Sequence, residues 1–137
     1  MIRFFSEGIA FDLKQKPKIR KWINGMILNE KKQPGTINYI FCSDEYLVHL
    51  NKTFLKHNTY TDILTFPDTE DPVNVSGDIF ISIPRVVENS GKYRQTVDLE
   101  LSRVMVHGIL HLIGYKDKTK SEKIEMTAKE DHYLSVV

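Results

Sequence analysis

The uncharged segment 104–115 constrains the fold more than any other part of this chain, because it is apolar except for two histidines four positions apart. Thr96 can cap the start of a helix, and Gly114 is a typical residue just past a helix end. Between them, apolar side chains cover most of the helical circumference. The pattern predicts a long, buried central helix from about Thr96 to Ile113, with His107 and His111 on one face, one turn apart.

This histidine pair is suited to binding a metal ion. Two imidazoles at this spacing can both bind one Zn²⁺ at about 2.0–2.1 Å. The glycine after the helix permits a left-handed turn, which can return Asp117 to the pair as an oxygen ligand and leave a fourth position for water. As simple core residues, the histidines would instead need buried hydrogen-bond partners. We therefore expect one Zn²⁺, or another divalent transition metal, at His107, His111 and Asp117, with Glu122 and Asp131 as alternative third ligands.

The rest of the chain predicts strands and further helices. Pro17 fits the first turn of an amphipathic helix, Ser43-Asp44 can cap another, and Thr119 to Glu122 forms a capping box before the last one. Predicted strands are Thr36–Cys42, Asp62–Phe66 and Asp78–Ile83, to which Ile2–Phe5 and Ile9–Leu13 add, with a short helix at Pro84–Tyr93. We expect residues 1–137 to form a single α+β domain: a small mixed β-sheet with helices packed on it around the central helix.

Composition excludes several classes of protein. Nineteen basic and 18 acidic side chains leave a formal charge of +1, so any contact with nucleic acid must be local. The one cysteine, Cys42, cannot form an internal disulfide or a cysteine zinc site. Uncharged stretches fall short of the roughly 20 residues that span a bilayer, and the first residues lack a signal-peptide pattern. We expect a reducing, cytoplasmic location and no membrane association.

The spacing H-x-x-x-H-x-x-G-x-x-[HD] also matches the ligands of metzincin peptidases. In those enzymes a glutamate, the general base, follows the first histidine, and here that position is Gly108. A peptidase built on this helix would need a base from elsewhere in the chain.

Four blocks resemble, in order and approximate spacing, the YbeY-type endoribonucleases. They are Leu50-Asn51, Thr61–Pro67, Gly77–Ile79 and His107–Tyr115, and Met126 and Glu130 follow. The resemblance implies metal-dependent cleavage of single-stranded RNA in maturation of small-subunit 16S ribosomal RNA and in ribosome quality control, with the ribosome or its assembly factors as partners. It also implies that His107 and His111 act through a metal-bound water. The general base stays unidentified, and attack by the RNA 2′-hydroxyl stays open.

The chain departs from the family pattern at two positions. Asp117 replaces the usual third histidine, and Leu55 replaces an arginine expected to hold a phosphate. Lysine or histidine at the next two positions could substitute for that arginine, although lysine offers a point charge rather than a bidentate fork. The candidate substrate contacts are Lys56, His57, Thr61, Asp62, Lys116 and Lys118.

Each of these features also has a simpler interpretation. Thr61 and Asp62 are typical of a turn before a strand. Lys116 and Lys118 are typical of the solvent-exposed residues at the start of a helix. Asp78 is either a turn carboxylate or a partner that orients a metal-bound histidine. Two alternative functions follow from the sequence: a metallopeptidase with a relocated general base, and a ribosome-assembly factor with a mainly structural metal, which Leu55 favours. The oligomeric state is open.

Overall fold

The computed structural model of the chain describes residues 1–54 and 61–136. Leu55 and the predicted contacts Lys56 and His57 lie outside the described residues. The strands are β1 (Ile2–Glu7), β2 (Gln33–Cys42), β3 (Ile63–Pro67) and β4 (Asn74–Ser82). The helices are α1 (Lys16–Asn29), α2 (Asp44–Phe54), α3 (Ile83–Lys92), α4 (Val97–Ile113) and α5 (Lys120–Leu134).

The strands form a mixed sheet in the order β1-β2-β4-β3. β2 pairs in parallel with both β1 and β4, whereas β3 pairs antiparallel with β4. The last pairing joins the two runs predicted on either side of the proline-containing loop, with Thr65 opposite Ile79. The predicted α+β class is therefore confirmed.

One predicted strand, Ile9–Leu13, is wrong. Gly8 has a φ of 71°, which turns the chain out of β1, and the Ser6 hydroxyl closes the turn by donating to the Phe11 carbonyl at 2.6 Å. Leu13 is buried, and Ile9 and Phe11 pack against the main core. The apolar alternation thus comes from a loop that lies on the core and not from a strand of the sheet.

Helix α4 lies against the sheet as the predicted central helix. The Thr96 hydroxyl caps it by accepting from the Leu99 backbone N–H at 3.1 Å, and Gly114 ends it. Its buried apolar residues are Leu101, Val104, Met105, Val106, Ile109 and Leu110. Burial of a side chain of this size contributes about 1.5–3 kcal/mol to the stability of the fold. These contacts hold α4, and with it His107 and His111, in a fixed position on the sheet. Among the described residues, no helix has the length and apolar character needed to cross a membrane.

Gly108 lets α4 approach the sheet closely. A Cβ at this position would lie 2.9 Å from Cγ2 of Ile79 and 3.0 Å from Cδ1 of Ile63. These distances are shorter than ordinary contacts between carbon atoms, which are about 3.5–4.0 Å. The face of α4 beside His107 is therefore packed directly on β3 and β4.

Candidate metal centre

Three side chains converge at the C-terminal end of α4. The Nε2 atoms of His107 and His111 lie 2.9 Å apart. The Oδ2 atom of Asp117 lies 3.2 Å from Nε2 of His107 and 3.4 Å from Nε2 of His111. The three side chains are 21%, 25% and 36% exposed, in that order. The cluster is therefore partly buried and partly exposed to solvent.

The turn after α4 brings Asp117 to the histidines, as the glycine predicted. Gly114 has a φ of 125°, and its backbone N–H donates to the carbonyls of Leu110 and His111, both at 3.1 Å. The Tyr115 N–H also donates to the Leu110 carbonyl, at 2.9 Å. These bonds use the free carbonyls at the helix end and reverse the chain sharply.

Hydrogen bonds fix which nitrogen of each ring faces the centre. Nδ1 of His111 lies 3.1 Å from the carbonyl oxygen of Tyr115, which can only accept, so this nitrogen carries the proton. Nδ1 of His107 lies 2.6 Å from Oε2 of Glu130 and donates to the carboxylate. In a neutral ring the other nitrogen, Nε2, then carries the lone pair, and both Nε2 atoms lie within 3.4 Å of Oδ2 of Asp117.

The donor set fits a divalent transition metal. Two imidazole nitrogens and a carboxylate oxygen face one another within 4.8 Å, and in this tautomeric state none of the three can donate a hydrogen bond to the others. A cation between them removes the repulsion of their lone pairs. Two imidazoles and one carboxylate on an open face are a ligand set typical of catalytic metal sites.

The surroundings of His107 also favour a cation. Burial by itself lowers the pKa of the His107 ring. The hydrogen-bonded Glu130 carboxylate, with Asp117 and Asp62, outweighs burial and raises the pKa overall. The same negative charges that stabilise a proton on this ring would stabilise a metal ion beside it.

Sequence reasoning missed the role of Glu130. Its side chain is 8% exposed, and its second oxygen accepts from Nη1 of Arg103 at 2.8 Å, so the carboxylate is held between Arg103 and His107. A buried acidic residue on the apolar face of α5, between Met126 and Tyr133, was the available signal. A carboxylate that orients a metal-binding histidine is a common feature of such sites.

The alternative third ligands have other partners. Asp131 accepts from Nη2 of Arg103 at 2.6 Å. Glu122 completes the predicted capping box, accepting from the Thr119 backbone N–H at 2.8 Å. Asp117 is therefore the carboxylate that the turn brings to the histidines.

The remaining predicted substrate contacts within the described residues lie in different surroundings. Asp62 lies near the centre: burial raises the pKa of its carboxyl, His107 opposes this effect, and Glu130 and Asp117 add to it. The Thr61 hydroxyl donates within its own turn, to the Ile63 carbonyl at 3.4 Å. Exposed lysines at positions 116 and 118 flank Asp117 in sequence.

Asp78 has neither of its predicted roles. It lies within β4, where its carboxylate accepts from the Asn38 side chain at 2.9 Å. The next residue, Ile79, packs on Gly108, and successive strand residues point to opposite faces, so Asp78 faces away from α4.

Comparisons with known proteins agree with this arrangement. The family model described as Endoribonuclease YbeY matches residues 5–137. An Endoribonuclease YbeY from Cytophaga hutchinsonii is 51% identical over 98% of this chain and 94% of its own length. One from Karelsulcia muelleri is 46% identical over the same shares. The solution structure of TM1509 from Thermotoga maritima is 30% identical, covers 98% of this chain and 87% of its own, and has a TM-score of 0.70. The match over nearly the whole chain and the shared fold thus show that this chain, with its mixed sheet and histidine helix, belongs to the endoribonuclease YbeY family.

Proposed function

We propose that this protein is a metal-dependent endoribonuclease that cleaves single-stranded RNA. The observation that carries the proposal is the convergence of two oriented Nε2 lone pairs and one carboxylate oxygen at an open face of the fold. Relatives named Endoribonuclease YbeY support RNA as the substrate. We extend the proposal to a cytoplasmic role in maturation of small-subunit 16S ribosomal RNA and in ribosome quality control, on the ribosome or with its assembly factors.

His107, His111 and Asp117 would hold the metal, and Zn²⁺ suits this mixed nitrogen and oxygen set. A metal ion held by these residues would supply Lewis acidity, which would acidify a water molecule and polarise the scissile phosphate. The chain's part is to keep the Nδ1 protons in place: Glu130 accepts from one ring and the Tyr115 carbonyl from the other. Asp117 also offsets part of the metal's charge.

The open face of the centre would receive the RNA. Lys116 and Lys118 are exposed beside Asp117, and Asp62, immediately before β3, interacts electrostatically with His107 and Asp117. We propose these residues as substrate contacts, together with Lys56, His57 and Thr61. An unpaired strand can be splayed to bring its backbone to an ion at a helix end, whereas the backbone of a duplex is fixed.

Packing at Gly108 supports RNA over peptide as the substrate. A glutamate there would collide with Ile79 and Ile63, so this helix has no room for the peptidase base at its usual position. Loss of a general base typically costs 10²–10⁴-fold in rate. Phosphodiester cleavage depends more on neutralising charge, which a metal and nearby lysines supply.

The test compares wild type with His107→Ala, and uses His49→Ala, an exposed histidine on α2, as the matched control. Zinc-loaded wild type and His49→Ala should cut unstructured RNA, leave duplex RNA intact, and leave casein intact. His107→Ala should lose at least 100-fold of the RNA cleavage. Peptide hydrolysis without RNA cleavage would contradict the proposal in favour of a peptidase, and zinc binding without either activity would contradict it in favour of an assembly factor.

A further inference from the structure

A second polar cluster surrounds the carboxylate of Glu30 and is linked to the candidate metal centre through Tyr115. This residue immediately follows α1, and its side chain is 7% exposed. It accepts hydrogen bonds from the hydroxyl of Tyr115 at 2.5 Å and from the hydroxyl of Tyr133. Nζ of Lys129 lies 3.1 Å from one of its oxygens. We refer to Glu30, Tyr115, Lys129 and Tyr133 as the Glu30 cluster.

Two of its members belong to the segments that orient the metal-binding histidines. Tyr115 accepts from His111 through its backbone carbonyl while its side-chain hydroxyl donates to Glu30. Lys129 precedes Glu130, which accepts from His107. The Glu30 carboxylate therefore joins the end of α1 to the turn that carries Asp117. It also joins the end of α1 to α5, whose Glu130 accepts from His107.

The cluster is strong enough to restrain these segments. Burial raises the pKa of Glu30, but the hydrogen bonds from Tyr115, Tyr133 and Lys129 outweigh it, so the pKa is lowered overall and the carboxylate is charged at neutral pH. Hydrogen bonds to a charged group are stronger than those between neutral groups. The Lys129 ammonium also lies 5.4 Å from the centre of the Tyr115 ring, a cation–π distance that holds the ring in place.

We propose that Glu30 and Tyr115 are positioning residues for the metal centre: their hydrogen bond fixes the turn after α4, so that the His111 lone pair and the Asp117 carboxylate face one point before the metal arrives. This inference depends on the metal centre proposed above. Without the bond, the turn gains conformational freedom, and metal binding must then order it at a cost in affinity.

Zinc affinity tests the proposal directly. Tyr115→Phe removes one hydroxyl and keeps the ring, and Tyr46→Phe on α2 is the matched control. Competition with a chromophoric chelator should show zinc binding weakened about tenfold in Tyr115→Phe, the lower end of what loss of an outer partner costs. Tyr46→Phe should bind like wild type. Zinc affinity of a folded Tyr115→Phe within twofold of wild type would overturn the proposal.

A double-mutant cycle separates positioning from a general loss of stability. If Glu30→Gln and Tyr115→Phe act through the same hydrogen bond, the double variant should lose little more zinc affinity than the weaker-binding single variant. Additive losses would overturn the inference, as would a fall in the melting temperature of the metal-free protein with no change in zinc affinity.

RNA cleavage by wild type in the same preparation distinguishes this inference from the proposed function. Weakened zinc binding in Tyr115→Phe without any RNA cleavage by wild type would uphold positioning and reject the nuclease. RNA cleavage by wild type, together with unchanged zinc affinity in Tyr115→Phe, would uphold the nuclease and reject positioning. Absence of binding of zinc and of other divalent transition metals by wild type would reject both.

Discussion

Glu130 contacts the candidate metal centre through its hydrogen bond with His107, which decides which nitrogen of that ring faces the centre. Its two oxygens are used in different ways: one accepts from His107 and the other from Arg103. Asp131 beside it shares the arginine but has no contact with the ring, so the two neighbours form a natural comparison.

We expect Glu130→Gln to weaken zinc binding about 10–100-fold, because a neutral amide no longer stabilises the oriented, electron-rich imidazole. Asp131→Asn should change it less than twofold, since it loses only an exposed ion pair. Chelator competition measures both. Equal effects of the two substitutions would show that Arg103, rather than the His107 contact, matters.

Replacement of Asp117 tests the third ligand. Asp117→Ala should weaken zinc binding at least tenfold, about 1.4 kcal/mol, because two imidazoles alone remain. Asp117→His should keep or raise the affinity, since the turn already delivers this side chain and imidazole is a good zinc ligand. If Asp117→Ala binds zinc like wild type in the same titration, a different residue completes the site.

The site residues that could be predicted from the sequence lie close together along the chain, whereas the contacts that were missed join residues far apart in sequence. His107, His111 and Asp117 share one helix and the turn after it, so local periodicity and a glycine were enough to place them together. The contact of His107 with Glu130 spans 23 positions, and that of Tyr115 with Glu30 spans 85. Such contacts follow from how the helices pack, which no local pattern encodes.

At the level of secondary structure, α4 packs closely on the sheet because Gly108 has no side chain. Capping residues and apolar periodicity predicted α4, and the capping box predicted the start of α5, because those signals are local. The strand prediction for Ile9–Leu13 was wrong because alternation of apolar and polar residues indicates only that one side of a segment is buried. A loop that lies on the core produces the same pattern.

Gly108→Ala should destabilise the fold by about 1–3 kcal/mol, the usual cost of overpacking, since the new methyl group meets Ile79 and Ile63. Gly25→Ala in α1 is the matched control, because a Cβ there has nothing within 4 Å. It should stabilise by about 0.5–1 kcal/mol, the usual gain over glycine in a helix. Urea unfolding measures both. Equal stabilisation by the two substitutions would show that α4 does not lie this close to the sheet.

For the molecule as a whole, stability comes from a hydrophobic core. The main core runs from Ile2 in β1 through α1 and α4 to Tyr133 in α5 and consists of buried apolar side chains, whereas the three proposed metal ligands are only partly buried. The fold therefore has its own source of stability, unlike small zinc domains that unfold without metal.

Metal removal should accordingly leave the fold intact. With EDTA, the far-ultraviolet circular dichroism should not change, while the melting temperature should fall by several degrees. The reason is that zinc at 100 times its dissociation constant stabilises the folded state by about 2.7 kcal/mol. Loss of helical signal on chelation at 25 °C would contradict this expectation.

The position of α5 has a consequence for the protein while it is being made. A chain emerges from the ribosome N-terminus first, so the sheet and α4 with its histidines are available before Lys120–Leu134 follows. A nascent chain that stops short of α5 already holds His107, His111 and Asp117, but not the carboxylate that orients His107 or the two α5 members of the Glu30 cluster. Completion of the proposed metal centre thus waits for α5, which is synthesised after the sheet and α4.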